Sequence, residues 1–301
     1  MDRRSAATAF AAAAVSAIIA AKDAAADAQS SQATPAARPA RPSFVETDDG
    51  VSLFYNDWGS GKPVLFTHAW SLNADIWEYQ LAELSEQGLR CVAYDRRGHG
   101  RSTDPGRGYD YDRLADDLAT VINQLDLHDV TLIGFSMGNG EAVRYLSRHG
   151  SARIARLVMV STVPPQPNPG KFDGLVAALK QDRPAFFAKG VTAFTGGHPA
   201  VSPQMTEWVV TQFMRASPKA TIDCLRAISR SDLQADLRAI NVPTLIVHGA
   251  KDQVNPVELT AKMTAGLIPR CELKMYEDAP HGLVISHREQ LTREILAFAR
   301  S

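Results

Sequence analysis

Three side chains of this sequence could together carry out nucleophilic chemistry: Ser136, Asp252 and His281. Ser136 stands in Gly134-Phe-Ser-Met-Gly138, a G-x-S-x-G pentad that draws its meaning from its surroundings. Before it, residues 129–133 are apolar and β-branched, the pattern of a buried strand. After it, residues 139–148 read as a helix. A strand, a sharp turn with serine at its tip, and a helix make a nucleophile elbow. The turn strains the serine backbone, and the residues two before and two after must be small for strand and helix to approach.

A serine hydroxyl is a weak nucleophile until a base takes its proton, and histidine is the base whose pKa suits the task. In elbow folds an acid and then a histidine follow the serine along the chain. His149, His198, His248, His281 and His287 all follow Ser136. His281 sits in Glu277-Asp-Ala-Pro-His-Gly282, just past an expected strand at 272–276, where loops surround a site. His149 closes a helix at the end away from the elbow, His198 falls in an insert, His248 ends a strand and reads as packed, and His287 opens the last helix. Asp252 lies on the loop after the strand 244–248, placed to fix the tautomer of His281 and stabilise its charged form. Asp278 is the rival carboxylate, on the loop of His281 itself. An oxyanion needs two main-chain N–H donors. Met137, at the positive end of the elbow helix, offers one. The loop Thr67-His-Ala-Trp-Ser-Leu72 offers the other, at Trp70 or its neighbour. Phe135 and Leu283 are candidates for an apolar substrate pocket, as are the side chains of Trp70 and Met137, with plain core packing the alternative for each. Glu141 and the turn at 95–102 read as structural.

The elements that must position these groups alternate along the chain. Strands at 44–46 and 51–56 flank Asp49-Gly50, a hairpin signal. Strands follow at 63–67, 89–94, 154–160, 244–248 and 272–276, separated by helices at 74–87, 111–125, 256–266 and 289–300. An antiparallel start followed by repeated βα units implies an α/β fold: one mostly parallel sheet with helices on both faces. From about 163 to 231 the rhythm breaks, and a mostly helical insert reads as a cap over the sheet edge where ligands bind.

The chain has 301 residues, 45% hydrophobic and 22% charged, with a formal net charge of −1. That suffices for one large core, and without a basic stripe it argues against nucleic acid as a partner. The cysteines Cys91, Cys224 and Cys271 have no metal-ligand spacing. The first 42 residues differ in kind. A basic start with Arg3-Arg4, an Ala-rich apolar stretch at 6–21 and Ala26-Asp27-Ala28 resemble a twin-arginine export signal over 1–28, implying a bacterial periplasmic protein; a cytoplasmic chain with an Ala-rich tail is the alternative. Residues 29–42 read as a flexible linker and 43–301 as the folded domain.

These motifs together resemble the α/β-hydrolases, in the branch of cofactor-free haloperoxidases, perhydrolases and aryl esterases. The resemblance covers nearly all of 43–301. It rests on His68-Ala-Trp70, Asp95-Arg-Arg-Gly-His-Gly-Arg-Ser102, Gly134-Phe-Ser-Met-Gly138 with Glu141, His248-Gly-Ala-Lys-Asp252 and Pro280-His-Gly282. It implies the α/β-hydrolase fold with a helical cap, hydrolysis of small carboxylic esters through an acyl-enzyme, no metal or organic cofactor, and a peracid-forming side reaction with peroxide. It places the second oxyanion N–H at Trp70. C–C bond or lactone hydrolysis uses the same triad, and a non-catalytic ligand-binding homologue is the alternative of another class. Two positions depart from the pattern: Ala69 replaces the usual glycine, which leaves the main-chain donor available. Ser71 replaces a frequent proline in the loop that shapes where peroxide binds.

Overall fold

The structure, a computed structural model, describes residues 43–301. The expected export signal and linker lie outside the described residues. Strands β1 (Phe44–Glu46) and β2 (Ser52–Gly59) form the antiparallel hairpin, closed by Gly50 at φ 78°. β2 then pairs antiparallel with β4 (Leu89–Tyr94). The rest of the sheet is parallel: β3 (Lys62–Thr67), β5 (Val130–Phe135), β6 (Ile154–Val160), β7 (Thr244–Gly249) and β8 (Cys271–Tyr276). The strand order is β1-β2-β4-β3-β5-β6-β7-β8.

Every residue of β4, β5 and β7 is buried, as expected where helices cover both faces of a parallel sheet. Alternate side chains feed two apolar layers. Leu65, Val92 and Leu132 pack on the face covered by α2 (Tyr111–Gln124) and α3 (Met137–His149). Phe66, Ala93 and Ile133 pack on the opposite face, against α1 (Glu78–Glu86) and the C-terminal helix. The apolar stripe of α2, with Leu114, Leu118, Val121 and Ile122 buried, is what holds it to the sheet, and Asp110 caps its start by accepting from Arg113 N–H.

Between β6 and β7 the chain forms α4 (Asp173–Thr195), α5 (Pro203–Met214), α6 (Pro218–Arg230) and α7 (Gln234–Arg238). α4 bends at Asp182, whose backbone leaves the helical region (φ −157°, ψ 87°). Its carboxylate caps the second half by accepting from Ala185 N–H, and Pro184 occupies that half's first turn, where its missing N–H is tolerated. Ser202 and Ser217 cap α5 and α6 in the same way, each followed by proline.

Some boundaries differ from the sequence pattern. The helix expected at 74–87 opens as a 3₁₀ turn, Ala74–Trp77. The one expected at 256–266 divides into a 3₁₀ turn, Val257–Leu259, and α8 (Ala261–Leu267), because Thr260 has a non-helical backbone. A four-residue helix α9 (Leu283–Ser286) precedes the last helix, α10 (Arg288–Arg300). It is too short to leave a periodicity. All three cysteines are free thiols. Among the described residues no helix is long and apolar enough to cross a membrane.

Candidate active site

Ser136 is the residue between β5 and α3, held at φ 51°, ψ −114°. A non-glycine residue there is strained, and such strain persists only where the surroundings enforce it. Here they do. Ser136 N–H donates to Val160 O at the end of β6, and Ser136 O accepts from Asn139 N–H in α3. A Cβ on Gly134 would stand 2.8 Å from the main chain of Asn139, and one on Gly138 only 2.4 Å from Thr67 Oγ1. Both glycines are therefore required by close approach, the second against the loop that follows β3.

His281 follows β8 and Asp252 follows β7, so all three side chains converge at the carboxyl ends of the parallel strands. His281 Nε2 lies 3.1 Å from Ser136 Oγ, and His281 Nδ1 lies 2.7 Å from Asp252 Oδ2. A carboxylate can only accept, so Nδ1 carries the proton and Nε2 is free to take one from the serine. Asp252 Oδ1 accepts from Val254 and Asn255 N–H at 2.9 and 2.8 Å. Burial alone would push the Asp252 carboxyl up. The neighbouring His281, its hydrogen bond, the Asn255 N–H and His248 outweigh this and hold it below the usual carboxylate range.

Two contacts at this site were not anticipated from the sequence. His248, read as merely packed, is indeed fully buried, yet its Nε2 lies 3.3 Å from Asp252 Oδ2 and 2.9 Å from Asn255 O. Its Nδ1 accepts from Thr162 N–H, so Nε2 is the protonated nitrogen and faces the acid. Burial, the largest influence, pushes its pKa below the usual histidine value and keeps it neutral. Ser161, at φ 47°, donates through Oγ to His281 O at 2.9 Å and so fixes the histidine's main chain. The i, i+4 spacing of His248 and Asp252 is a visible signal; Ser161 leaves none. Asp278, the rival carboxylate, faces His287 and His198 instead, and His149 faces Asp116.

An apolar cavity of about 530 Å³ opens onto Ser136 and His281. The loop residues Ala69 and Trp70 line it, together with Phe172, Phe186, Phe187 and Phe194 of the helical insert. Trp70 Nε1 donates to Thr221 O in α6, which ties the loop after β3 to the insert. Ser71 adds a hydroxyl contact to Thr221 Oγ1 at 3.0 Å and stands at φ 60°, a conformation that a proline ring excludes. Met137 is fully buried and opens α3, where the first N–H groups of a helix have no intrahelical acceptor.

Phe135 and Leu283 are corrected by this arrangement. Neither lines the cavity. Phe135 is fully buried with its ring 5.6 Å from that of His281 and 5.8 Å from Trp77. It supports the imidazole from behind, because the elbow turns Ser136, not its neighbour, toward the opening. Leu283 starts α9 and packs into the core on the α1 side of the sheet.

Against the loop after β3 lies a fully buried ion pair. Arg96 donates to Glu141 Oε2 through Nε and Nη2, at 2.9 and 2.7 Å. The same Nη2 donates to His68 O at 2.8 Å, and Arg96 N–H donates to His68 Nε2. The structural reading of Glu141 and of the 95–102 turn thus takes a definite form: they hold the main chain that leads to Trp70.

The α/β hydrolase fold family matches residues 62–219. A non-heme chloroperoxidase of Kitasatospora aureofaciens is 39% identical over 268 residues, spanning 84% of this chain and 97% of its own. A bifunctional esterase/perhydrolase of Acinetobacter calcoaceticus is 36% identical over 274 residues, 86% of this chain and 99% of its own. Among solved structures, a bromoperoxidase from Bacillus anthracis superposes with a TM-score of 0.82 at 35% identity, covering 86% of this chain and 99% of that one. By fold, sequence and the convergence of these residues, the chain belongs to the α/β-hydrolase family, in the branch that holds the non-heme haloperoxidases and the esterase/perhydrolases.

Proposed function

We propose that this protein is a serine hydrolase of small carboxylic esters, with a peracid-forming side reaction. The observation that carries the reading is the unbroken line Ser136–His281–Asp252, whose serine and histidine line an apolar cavity. Ser136 Oγ attacks the ester carbonyl while His281 Nε2 takes its proton. The N–H groups of Met137 and Trp70 receive the developing oxyanion. His281 then protonates the departing alcohol, and water, deprotonated by the same histidine, releases the acid. Hydrogen peroxide in place of that water leaves as a peracid and restores the serine hydroxyl, and the peracid can oxidise halide in solution. The similarity to haloperoxidases and to an esterase/perhydrolase supports both branches.

Turnover of 4-nitrophenyl acetate by the wild type and by Ser136→Ala tests the reading. The variant should be inactive above background; equal rates would overturn it. Bromide oxidation in acetate buffer with peroxide, lost in the same variant, tests the side reaction. We also place the protein in the bacterial periplasm, on the strength of Arg3-Arg4, the Ala-rich stretch and Ala26-Asp27-Ala28. Mass spectrometry of the exported fraction should find a chain that begins near Gln29; one that still begins at Met1 or Asp2 would refute cleavage.

A further inference from the structure

Among the described residues that line the cavity opening onto Ser136, Lys171 is the only lysine, arginine, aspartate or glutamate. Lys171 precedes α4 and is exposed. Among the described residues its ammonium has no carboxylate partner; it stands 5.2 Å from the centroid of the Phe172 ring, which also lines the cavity. Desolvation there lowers its pKa. A cation against an aromatic, acid-free wall is attracted by the ring face but lacks the anion that a lysine in such a place can hold. Ser136 and His281 line the same cavity and are buried. A ligand that reaches from Ser136 to Lys171 therefore meets a reactive floor, apolar sides such as Phe186 and Phe187, and a positive rim.

We infer that the preferred substrates are esters bearing a carboxylate remote from the scissile carbonyl, and that Lys171 binds that carboxylate. This deepens the ester-hydrolase reading and rests on it. No bond to Lys171 forms or breaks; its part is to attract and orient an anion at the mouth, which favours capture over turnover.

The test compares matched substrate pairs. 4-Nitrophenyl hydrogen adipate against 4-nitrophenyl hexanoate puts the charge on the acyl chain. 4-Acetoxybenzoate against 4-acetoxybenzamide puts it on the departing alcohol. The readout is the ratio of kcat/KM, anionic over neutral, in wild type, Lys171→Arg, Lys171→Met and Lys171→Glu. One pair should show a ratio that falls about tenfold in Lys171→Met, carried mainly by KM, and further in Lys171→Glu, as expected for one partly desolvated ion pair. Lys171→Arg should retain most of the preference. Salt at about 0.5 M should erode the wild-type ratio, since an exposed charge is screened over a few ångströms there. The responding pair names the end of the substrate that Lys171 holds. Turnover of the neutral esters with ratios that no Lys171 variant changes would overturn this inference alone. No turnover of any of the four by the wild type would overturn the ester-hydrolase reading, and this inference with it.

Discussion

Asp252→Asn is the substitution whose effect follows most directly from the geometry. The amide is isosteric with the carboxylate, so shape is kept and only the hydrogen-bond pattern changes. Its orientation is dictated. The Oδ1 position receives two main-chain donors, from Val254 and Asn255, and must remain the oxygen. The amide nitrogen is thereby forced into the Oδ2 position, 2.7 Å from His281 Nδ1 and 3.3 Å from His248 Nε2. Both of those nitrogens carry protons in the wild type, so the new NH₂ would face two donors. His281 can relieve the clash only by moving its proton to Nε2, where it points at Ser136 and can no longer accept. Loss of the correct tautomer in a triad of this kind costs roughly ten-thousandfold in kcat, about 5 kcal/mol of transition-state stabilisation. Asp252 does not line the substrate cavity, so KM should change far less than kcat. The assay is steady-state hydrolysis of 4-nitrophenyl acetate, with circular dichroism to show that the variant is folded. A loss of less than tenfold in a folded variant would refute the tautomer argument and the place of Asp252 in the site.

Three other outcomes follow from the surrounding structure. Glu141→Ala should cost about 3–5 kcal/mol in urea unfolding, because it leaves the fully buried Arg96 without its counter-charge, and it should also slow turnover by loosening the His68 carbonyl. Gly138→Ala should lower kcat at least tenfold, since its Cβ would press on Thr67 O and His68 O at 2.8 and 3.0 Å and displace the oxyanion loop; unchanged kinetics would contradict the close approach. The fold should also lose stability well above the carboxylate range. Burial, aided by Arg96, pushes His99 down to about 3, and burial holds the neighbouring His68 well below its usual value. Between about pH 6.5 and 3 the unfolded chain binds a proton that His99 refuses when folded, and His68 acts in the same direction. Their stabilisation is therefore complete above about pH 6.5 and falls with decreasing pH, for His99 by up to about 1.4 kcal/mol per pH unit. Urea midpoints from pH 8 to 5 check this, and Gln at position 99 should remove one share of the slope.

The elements that carry the chemistry were legible because local patterns encode them. Buried parallel strands leave short β-branched runs, and the runs at 129–133 and 244–248 lie within two residues of the bounds of β5 and β7. The elbow glycines are visible because no other residue tolerates the approach of Asn139 and Thr67. The chain order of serine, acid and histidine leaves five histidines, and the loop just past the strand at 272–276 singles out His281. The pocket was not legible. β5 is buried on both faces, so nothing in its sequence says that Phe135 faces away from the opening. α4 shows apolar residues on more than one side, and which of them meet the cavity depends on the bend at Asp182 and the tie from Trp70 to Thr221.

What the sequence by itself supplied is the set of residues proposed for the reaction, a serine on an elbow, a histidine and an acid, and the loops they stand on. Those follow from local order, since strand, turn and helix signals act over a few residues. Only the tertiary structure decided what stands around them. His248 and Ser161 reach the site from β7 and the end of β6, Lys171 from the start of the insert, and Phe135 retreats behind the imidazole. Such contacts join segments distant along the chain, and their geometry is fixed by packing between elements. No local pattern records it.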